Sequence, residues 1–239
     1  MTDELQSEQD RAEEFLVAYN AIDRELRNRL NADRNNSFRS LVDRYASRHP
    51  WWRREAESLS AFAELRNVIV HERFDRFKYI SIPALDVVTE IQAIRDRLLK
   101  PHTVQNVAER DVFTIEAESS LSELLKTVRE QRINQLPVYG NGRFSGLITS
   151  KGVLAWLADN SGNNGPSVNF DEVSVSQLLK FQENRQNCDF VGRSMPVDEA
   201  AFLFVKNPQL EALLVTEHGK PDQGLIGIMT QRDSAGLFD

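Results

Sequence analysis

Beyond Pro101 the chain states one pattern twice, and this repetition limits the fold more than any other feature of the sequence. "DVFTI" reads as a strand, "SSLSELLKTVREQRI" as a serine-capped helix, "QLPVYGNGRFSGLITS" as a hairpin turning at Asn141 and Gly142, and "KGVLAWLAD" as a second helix. The order then returns. "CDFVGRS" reads as a strand, "MPVDEAAFLFVKN" as a helix, "EALLVTEHGKPDQGLIGIMTQ" as a longer hairpin and "RDSAGLFD" as a short closing helix. Ile115 matches Val191 and Leu121 matches Val197 at an offset of 76 residues, whereas Gly146 to Thr149 match Gly227 to Thr230 at an offset of 81. The hairpin absorbs the difference. A β-α-β-β-α unit this small leaves one face of its sheet bare, so two in tandem are expected to pack sheet against sheet about a pseudo-twofold axis.

The first hundred residues follow a different rhythm. Between Asp10 and Leu30, the residues Phe15, Leu16, Tyr19, Ile22, Leu26 and Leu30 recur at three- and four-residue steps, the mark of an amphipathic helix. Phe38, Leu41, Val42 and Tyr45 continue the rhythm until Pro50 breaks it, and a further helix runs from Pro83 to its stop at Pro101. The expected fold class is therefore α+β: an all-α N-terminal bundle of four or five helices over residues 1–101, followed by the repeat pair over 102–239. Within the pair, the first repeat is placed at about 104–160 and the second at about 173–239. The Asn/Gly/Ser-rich stretch at about 160–172 joins them.

Charge is unevenly distributed along the chain. The net charge is −7, but Arg24 to Arg54 holds nine arginines against Glu25, Asp33 and Asp43, with no lysine. Arginine suits bidentate phosphate contact, and such runs also serve as ordinary solvated helix faces. Cys188 is the single cysteine, and His49, His71, His102 and His218 lie in no metal-ligand spacing, so no metal is expected. No apolar run is long enough to span a membrane, and the start of the chain is acidic where a secretory signal would be basic and then apolar. A cytoplasmic protein without membrane partners is expected.

Residues from about 104 to 239 resemble a tandem pair of CBS domains, also called a Bateman module, on the strength of "TIEAESSLSELLKTVREQRINQLPVYGNGRFSGLITSKGV" and the closing "GIMTQRD". The resemblance implies a regulatory site for an adenine nucleotide (AMP, ADP or ATP). Thr230 would hold phosphate through its hydroxyl and neighbouring backbone N–H groups, and Asp233 would hold the ribose hydroxyls. Arg232 offers a phosphate partner. The bland reading of Thr230 and Asp233 is a helix cap. In the first copy Thr149 and Ser150 could hold phosphate, but Gly152 stands where the acid belongs and cannot grip a ribose. Adenine is expected near Leu136 and Phe190.

"LRNVIVHERF" in the helical part resembles the R-x-x-x-x-H signature of HEPN domains, many of which are metal-independent ribonucleases. Arg66, Asn67 and His71 fit it. Five residues apart on a helix, Arg66 and His71 point about 140° from each other and cannot form a one-turn pair. The resemblance implies a homodimer in which the sites of two chains face each other, His71 moving the ribose 2′ proton and Arg66 holding the scissile phosphate of RNA. Arg73 stands where some HEPN toxins carry a modifiable tyrosine. Two functions follow. In one, the CBS pair senses an adenine nucleotide and regulates an RNA-cleaving bundle. In the other, the protein is a non-catalytic nucleotide-binding regulator whose bundle only dimerises or recruits a partner.

Overall fold

The three- and four-residue apolar steps of the N-terminal stretch become four long helices. In the computed structural model, which describes residues 2–71, 73–75, 78–79, 81–108, 111–160, 169–181 and 186–235, the chain divides into two units, Met1–His102 and Thr103–Asp239. Helix α1 spans Thr2–Leu30 and starts well before its apolar periodicity does. Helix α2 (Phe38–Arg48) is opened by Ser37, whose hydroxyl accepts the Ser40 N–H at 3.2 Å. Pro50 then imposes a single 3₁₀ turn, Pro50–Trp52, before α3 (Arg53–His71). A two-stranded antiparallel ribbon follows, β1 (Arg73–Asp75) with β2 (Lys78–Tyr79), which helical periodicity does not foretell. Helix α4 (Leu85–Leu99) closes the unit.

One face of each helix builds the N-terminal core. Phe15, Ile22, Leu26, Leu41, Leu59, Ile69, Ile91 and Ile94 are all fully buried there. Each contributes roughly 1.5–3 kcal/mol of burial. Phe15 meets Phe62 edge to face at 5.9 Å, and Tyr45 meets Trp52 at 4.8 Å. Trp52 is buried and Trp51 sits at the rim. Part of the arginine run is structural. Arg29 donates to Glu25 Oε1 (2.7 Å), to the Tyr45 hydroxyl (3.0 Å) and to the Leu98 carbonyl (2.6 Å), joining the end of α1 to α2 and α4. Arg27 forks onto Asp23 at 2.8 and 3.0 Å.

The second unit carries the repeat. Its first copy comprises β3 (Ile115–Glu116), α6 (Leu121–Gln131), β4 (Gln135–Gly140), β5 (Arg143–Thr149) and α7 (Ser150–Asn160), preceded by the short α5 (Val104–Val107). Its second comprises β6 (Cys188–Gly192), α9 (Val197–Lys206), β7 (Ala212–Thr216), β8 (Gly227–Thr230) and α10 (Gln231–Ala235), preceded by α8 (Val175–Leu178). Each forms a three-stranded sheet, ordered β3-β4-β5 or β6-β7-β8, with a parallel pair and then an antiparallel one. The β4–β5 hairpin turns through Asn141 (φ 52°) and Gly142 (φ 72°), as the Asn-Gly signal requires. Leu147, Ala212, Leu214 and Ile228 make the apolar layer where the two sheets face one another. Residues 161–168 of the connecting stretch lie outside the described residues.

The copies also exchange their leading segments. Val104 and Ala108 are buried in the second copy's core with Val191, Val197 and Leu213, whereas Val173, Val175 and Leu178 are buried in the first copy's core with Leu121, Leu124 and Val138. The backbone bonds follow the same symmetry. Val104 N–H donates to the Met195 carbonyl (2.9 Å) and Gln105 N–H to that of Arg193 (3.2 Å), while Val175 N–H donates to Ser119 (2.9 Å) and Ser176 N–H to Ala117 (2.8 Å). Neither copy closes its own core without the other's lead-in.

Candidate functional site

Two clefts open between the copies of the second unit, and they are pseudo-twofold counterparts. The first, of about 370 Å³, is lined by Thr149, Lys151 and Gly152 from the β5–α7 junction and by Asn187 and Pro208 to Glu211 across from it. The second, of about 360 Å³, is lined by Thr230, Arg232 and Asp233 from the β8–α10 junction and by Asp111 and Arg132 to Gln135 across from it. Every pair matches at the sequence offsets: Thr149 with Thr230, Lys151 with Arg232, Gly152 with Asp233, Asn187 with Asp111, and Glu211 with Gln135.

The junctions are capped in opposite senses. In the second copy Asp233 Oδ2 accepts both the backbone N–H (2.7 Å) and the hydroxyl (2.8 Å) of Thr230, so the carboxylate is the acceptor and the threonine the donor. In the first copy no acid is present, and the Thr149 hydroxyl itself accepts the Gly152 N–H at 3.2 Å. Only the second cleft therefore offers a carboxylate on its β–α junction, and that carboxylate is exposed. Arg132 reaches the same cleft because it ends α6 in the left-handed conformation (φ 55°). Each wall carries an arginine and an aspartate, Arg132 with Asp111 and Arg232 with Asp233, which gives the second cleft donors for a phosphate and acceptors for hydroxyls.

Leu136 and Phe190 stand elsewhere than expected. Leu136 is buried in the first copy's core beneath α6 and α7, and Phe190 packs edge to face on Phe144 at 5.0 Å; neither is among the residues lining these two clefts. Both sit on strands whose alternation does not reveal which face meets the neighbouring sheet. The apolar groups that do line the second cleft are Val112, Phe113, Ile133 and Ile228. Ser150, exposed at the start of α7, shares a 3.4 Å hydroxyl contact with the Asn134 side-chain oxygen and is absent from the first cleft's lining. The Cys188 thiol is pushed up to about 12 by burial, with Asp189 adding to the rise, which makes it a poor nucleophile.

In the helical unit Arg66 and Asn67 line a separate cleft of about 380 Å³ with Tyr19, Asp23, Arg27 and Arg39. The Arg66 guanidinium lies 6.0 Å above the Tyr19 ring, and its Nη1 is 3.4 Å from the Asn67 side-chain oxygen. Burial pushes the Tyr19 phenol up to about 12, against a lowering influence from Arg66. His71 ends α3, and its side chain lies outside the described residues. Among the described residues no three His, Cys, Asp or Glu stand where they could hold a metal ion, and no helix is long and apolar enough to cross a membrane.

Comparison with known proteins matches part of the second unit to a described domain. Residues 104–159 match the CBS domain model. The CBS domain pair of protein MJ0100 in complex with 5′-methylthioadenosine and S-adenosyl-L-methionine is similar at 22% identity over 58% of this chain and 96% of that one, with a TM-score of 0.45. CBSX2 in complex with AMP is similar at 19% identity over 57% and 96%, with a TM-score of 0.42. The CBS domain protein TA0289 from Thermoplasma acidophilum is similar at 16% identity over 58% and 70%, with a TM-score of 0.45. No curated protein sequence matches the chain. The first copy is a CBS domain, and the second repeats its order of strands and helices on the other side of the pseudo-twofold. The second unit thus has the architecture of a CBS domain pair, its first copy being the one that the family model matches.

Proposed function

We propose that this protein is a cytoplasmic regulator that binds an adenine nucleotide in the second cleft of its CBS pair. The observation that carries this reading is the hydrogen-bonded Thr230–Asp233 pair on the wall of a cleft that also holds Arg132 and Arg232. The ribose hydroxyls take over Asp233 as acceptor, and the displaced Thr230 N–H and hydroxyl turn to the phosphate, where Arg232 and Arg132 supply charge. The nucleobase lies against Val112, Phe113 and Ile133. The first cleft, with Gly152 for the acid, binds no nucleoside this way; Thr149 offers it a hydroxyl and Lys151 a charge. Calorimetry with AMP, ADP, ATP and S-adenosylmethionine tests the reading, and a chain whose heats match the Asp233→Ala variant with every ligand ends it.

The helical unit is the output, acting as a homodimer whose arrangement the nucleotide biases by binding one state better than the other. A HEPN-like ribonuclease reading is favoured by one observation: Arg66 and Asn67 share an open polar cleft, with the guanidinium held over Tyr19 and His71 one helical turn and a half further on. Cleavage of labelled RNA that survives EDTA and vanishes in both Arg66→Ala and His71→Ala supports it. Absence of cleavage, with or without nucleotide, leaves the bundle as a dimerising or recruiting module.

A further inference from the structure

Arg232 lines both clefts, as do Gln135 and Thr230, so the two share one wall. In the first cleft Lys151 Nζ stands 3.6 Å from Glu211 Oε1, and the cleft's own charges balance. In the second, Arg132 and Arg232 balance Asp111 and Asp233. Among the described residues Arg232 has no ion-pair partner, and its side chain is exposed. Arg132, which lines the second cleft alone, has no ion-pair partner either, so among the described residues Arg232 is the unpaired cation that lines both clefts.

We infer that the first cleft is a phosphate or pyrophosphate site and that Arg232 is shared between it and the nucleotide cleft, so that an anion bound in the first weakens a nucleotide bound in the second. The chemistry of the first cleft fits a bare phosphoanion. Gly152 offers nothing to a ribose, while Thr149, Lys151 and Arg232 offer a hydroxyl and two cations. When Arg232 turns to that anion, the second cleft keeps one arginine against two carboxylates and repels an anionic nucleotide. By linkage the effect runs both ways. One exposed charge of this kind gives a coupling of about tenfold, at the low end of the usual range, and it shrinks as salt screens it.

The coupling rests on the nucleotide reading of the second cleft, and the test separates the two. AMP is titrated into the full chain at low ionic strength with increasing fixed pyrophosphate, and pyrophosphate alone is titrated into Asp233→Ala. Pyrophosphate should raise the AMP Kd to a plateau about tenfold higher, whereas simple competition for one site raises it without limit. Lys151→Gln, which leaves Glu211 uncompensated in the first cleft alone, should remove the effect and leave AMP affinity unchanged. Pyrophosphate should still bind Asp233→Ala. If AMP binds but its Kd is insensitive to pyrophosphate, or rises without a plateau, the sharing of Arg232 is wrong and the nucleotide reading stands. If AMP does not bind, the nucleotide reading fails and the coupling with it. If pyrophosphate also leaves Asp233→Ala untouched, the first-cleft site fails on its own account.

Discussion

Substituting Thr230 and Asp233 singly and together, and measuring two ligands rather than one, separates their roles. In the free protein the pair holds two hydrogen bonds, 2.7 and 2.8 Å, to one carboxylate oxygen. Asp233→Ala removes that cap and should lower stability by about 1 kcal/mol, the usual cost of a lost cap at an exposed site. Its effect on binding is larger. A carboxylate accepting two ribose hydroxyls makes charge-assisted bonds of about 1.5–3 kcal/mol, offset by the Thr230 bonds it gives up, which leaves a net loss of roughly 2 kcal/mol, or about thirtyfold in Kd. That loss should be the same for adenosine and for AMP, because both carry the ribose. Thr230→Val acts only on the phosphate, so it should weaken AMP about tenfold and adenosine hardly at all. The double variant should fall short of additivity for AMP, since the two side chains touch. Isothermal calorimetry reads all of these. Equal losses for both ligands in Thr230→Val, or an AMP affinity indifferent to Asp233→Ala, would refute the exchange of partners at this junction.

Further outcomes follow from the same structure. Phe15→Ala, at a fully buried ring stacked edge to face on Phe62, should cost about 3–5 kcal/mol in urea unfolding of the helical unit. Val104→Ala and Val175→Ala should each cost about 1.5–3 kcal/mol, because the exchanged segments are fully buried in the opposite copies; losses near zero would mean that the exchange contributes nothing. Gly142→Ala meets no atom within 4 Å and should cost only the left-handed strain, about 1–2 kcal/mol, whereas Gly219→Ala sets a Cβ 3.0 Å from the Gly192 nitrogen and should cost more. His49 is held below its ordinary value of 6.5 by burial first and by Arg29 and Arg48 next, so the unfolded chain binds the proton more readily. Stability from this group is present above about pH 6.5 and is lost as pH falls below it. Thermal midpoints at pH 7.5 and 5.5 should differ more for the wild type than for His49→Phe, and equal slopes would exclude His49 as the cause.

The helices, hairpins and repeat were legible because each rests on a local signal: the apolar steps of α1, the Asn141–Gly142 turn, and the glycine-apolar-apolar-threonine ends of β5 and β8. The exchange of lead-in segments was not. "VQNV" and "VSQL" are single helical turns with no period to read, and their destination is decided by which core has room for Val104 or Val175. That exchange explains the uneven reading of the site. Thr230, Arg232 and Asp233 lie on one contiguous stretch and could be found by pattern, whereas the opposite wall, Asp111 and Arg132, belongs to the other copy. The repeat offset held the missing signal: Asn187 and Pro208, shifted by 76, give Asp111 and Arg132. Leu136 and Phe190 lie off the two clefts, which strand alternation does not reveal because it names two faces without saying which one meets the second sheet.

Divergence between the copies distinguishes the proposed nucleotide cleft from its counterpart. In the first copy the Thr149 hydroxyl is spent as an acceptor for Gly152, so a ligand must break the cap to use it and gains no carboxylate in return. In the second, Thr230 already donates twice to Asp233, and in the proposed binding mode a nucleotide would replace those bonds with an equal number: hydroxyls to the acid, phosphate to the threonine. Such an exchange would leave no group unpaired once complete, so a short, exposed junction could bind without a large desolvation penalty. It also leaves phosphate charge as the main discriminator among ligands. With two arginines balancing two aspartates in that cleft, each further phosphate adds repulsion without a new partner, so affinity should fall from AMP to ADP to ATP in the absence of a divalent cation. A Kd series that instead tightens with phosphate number would show that Asp111 has left the cleft, and that the cations alone set its preference.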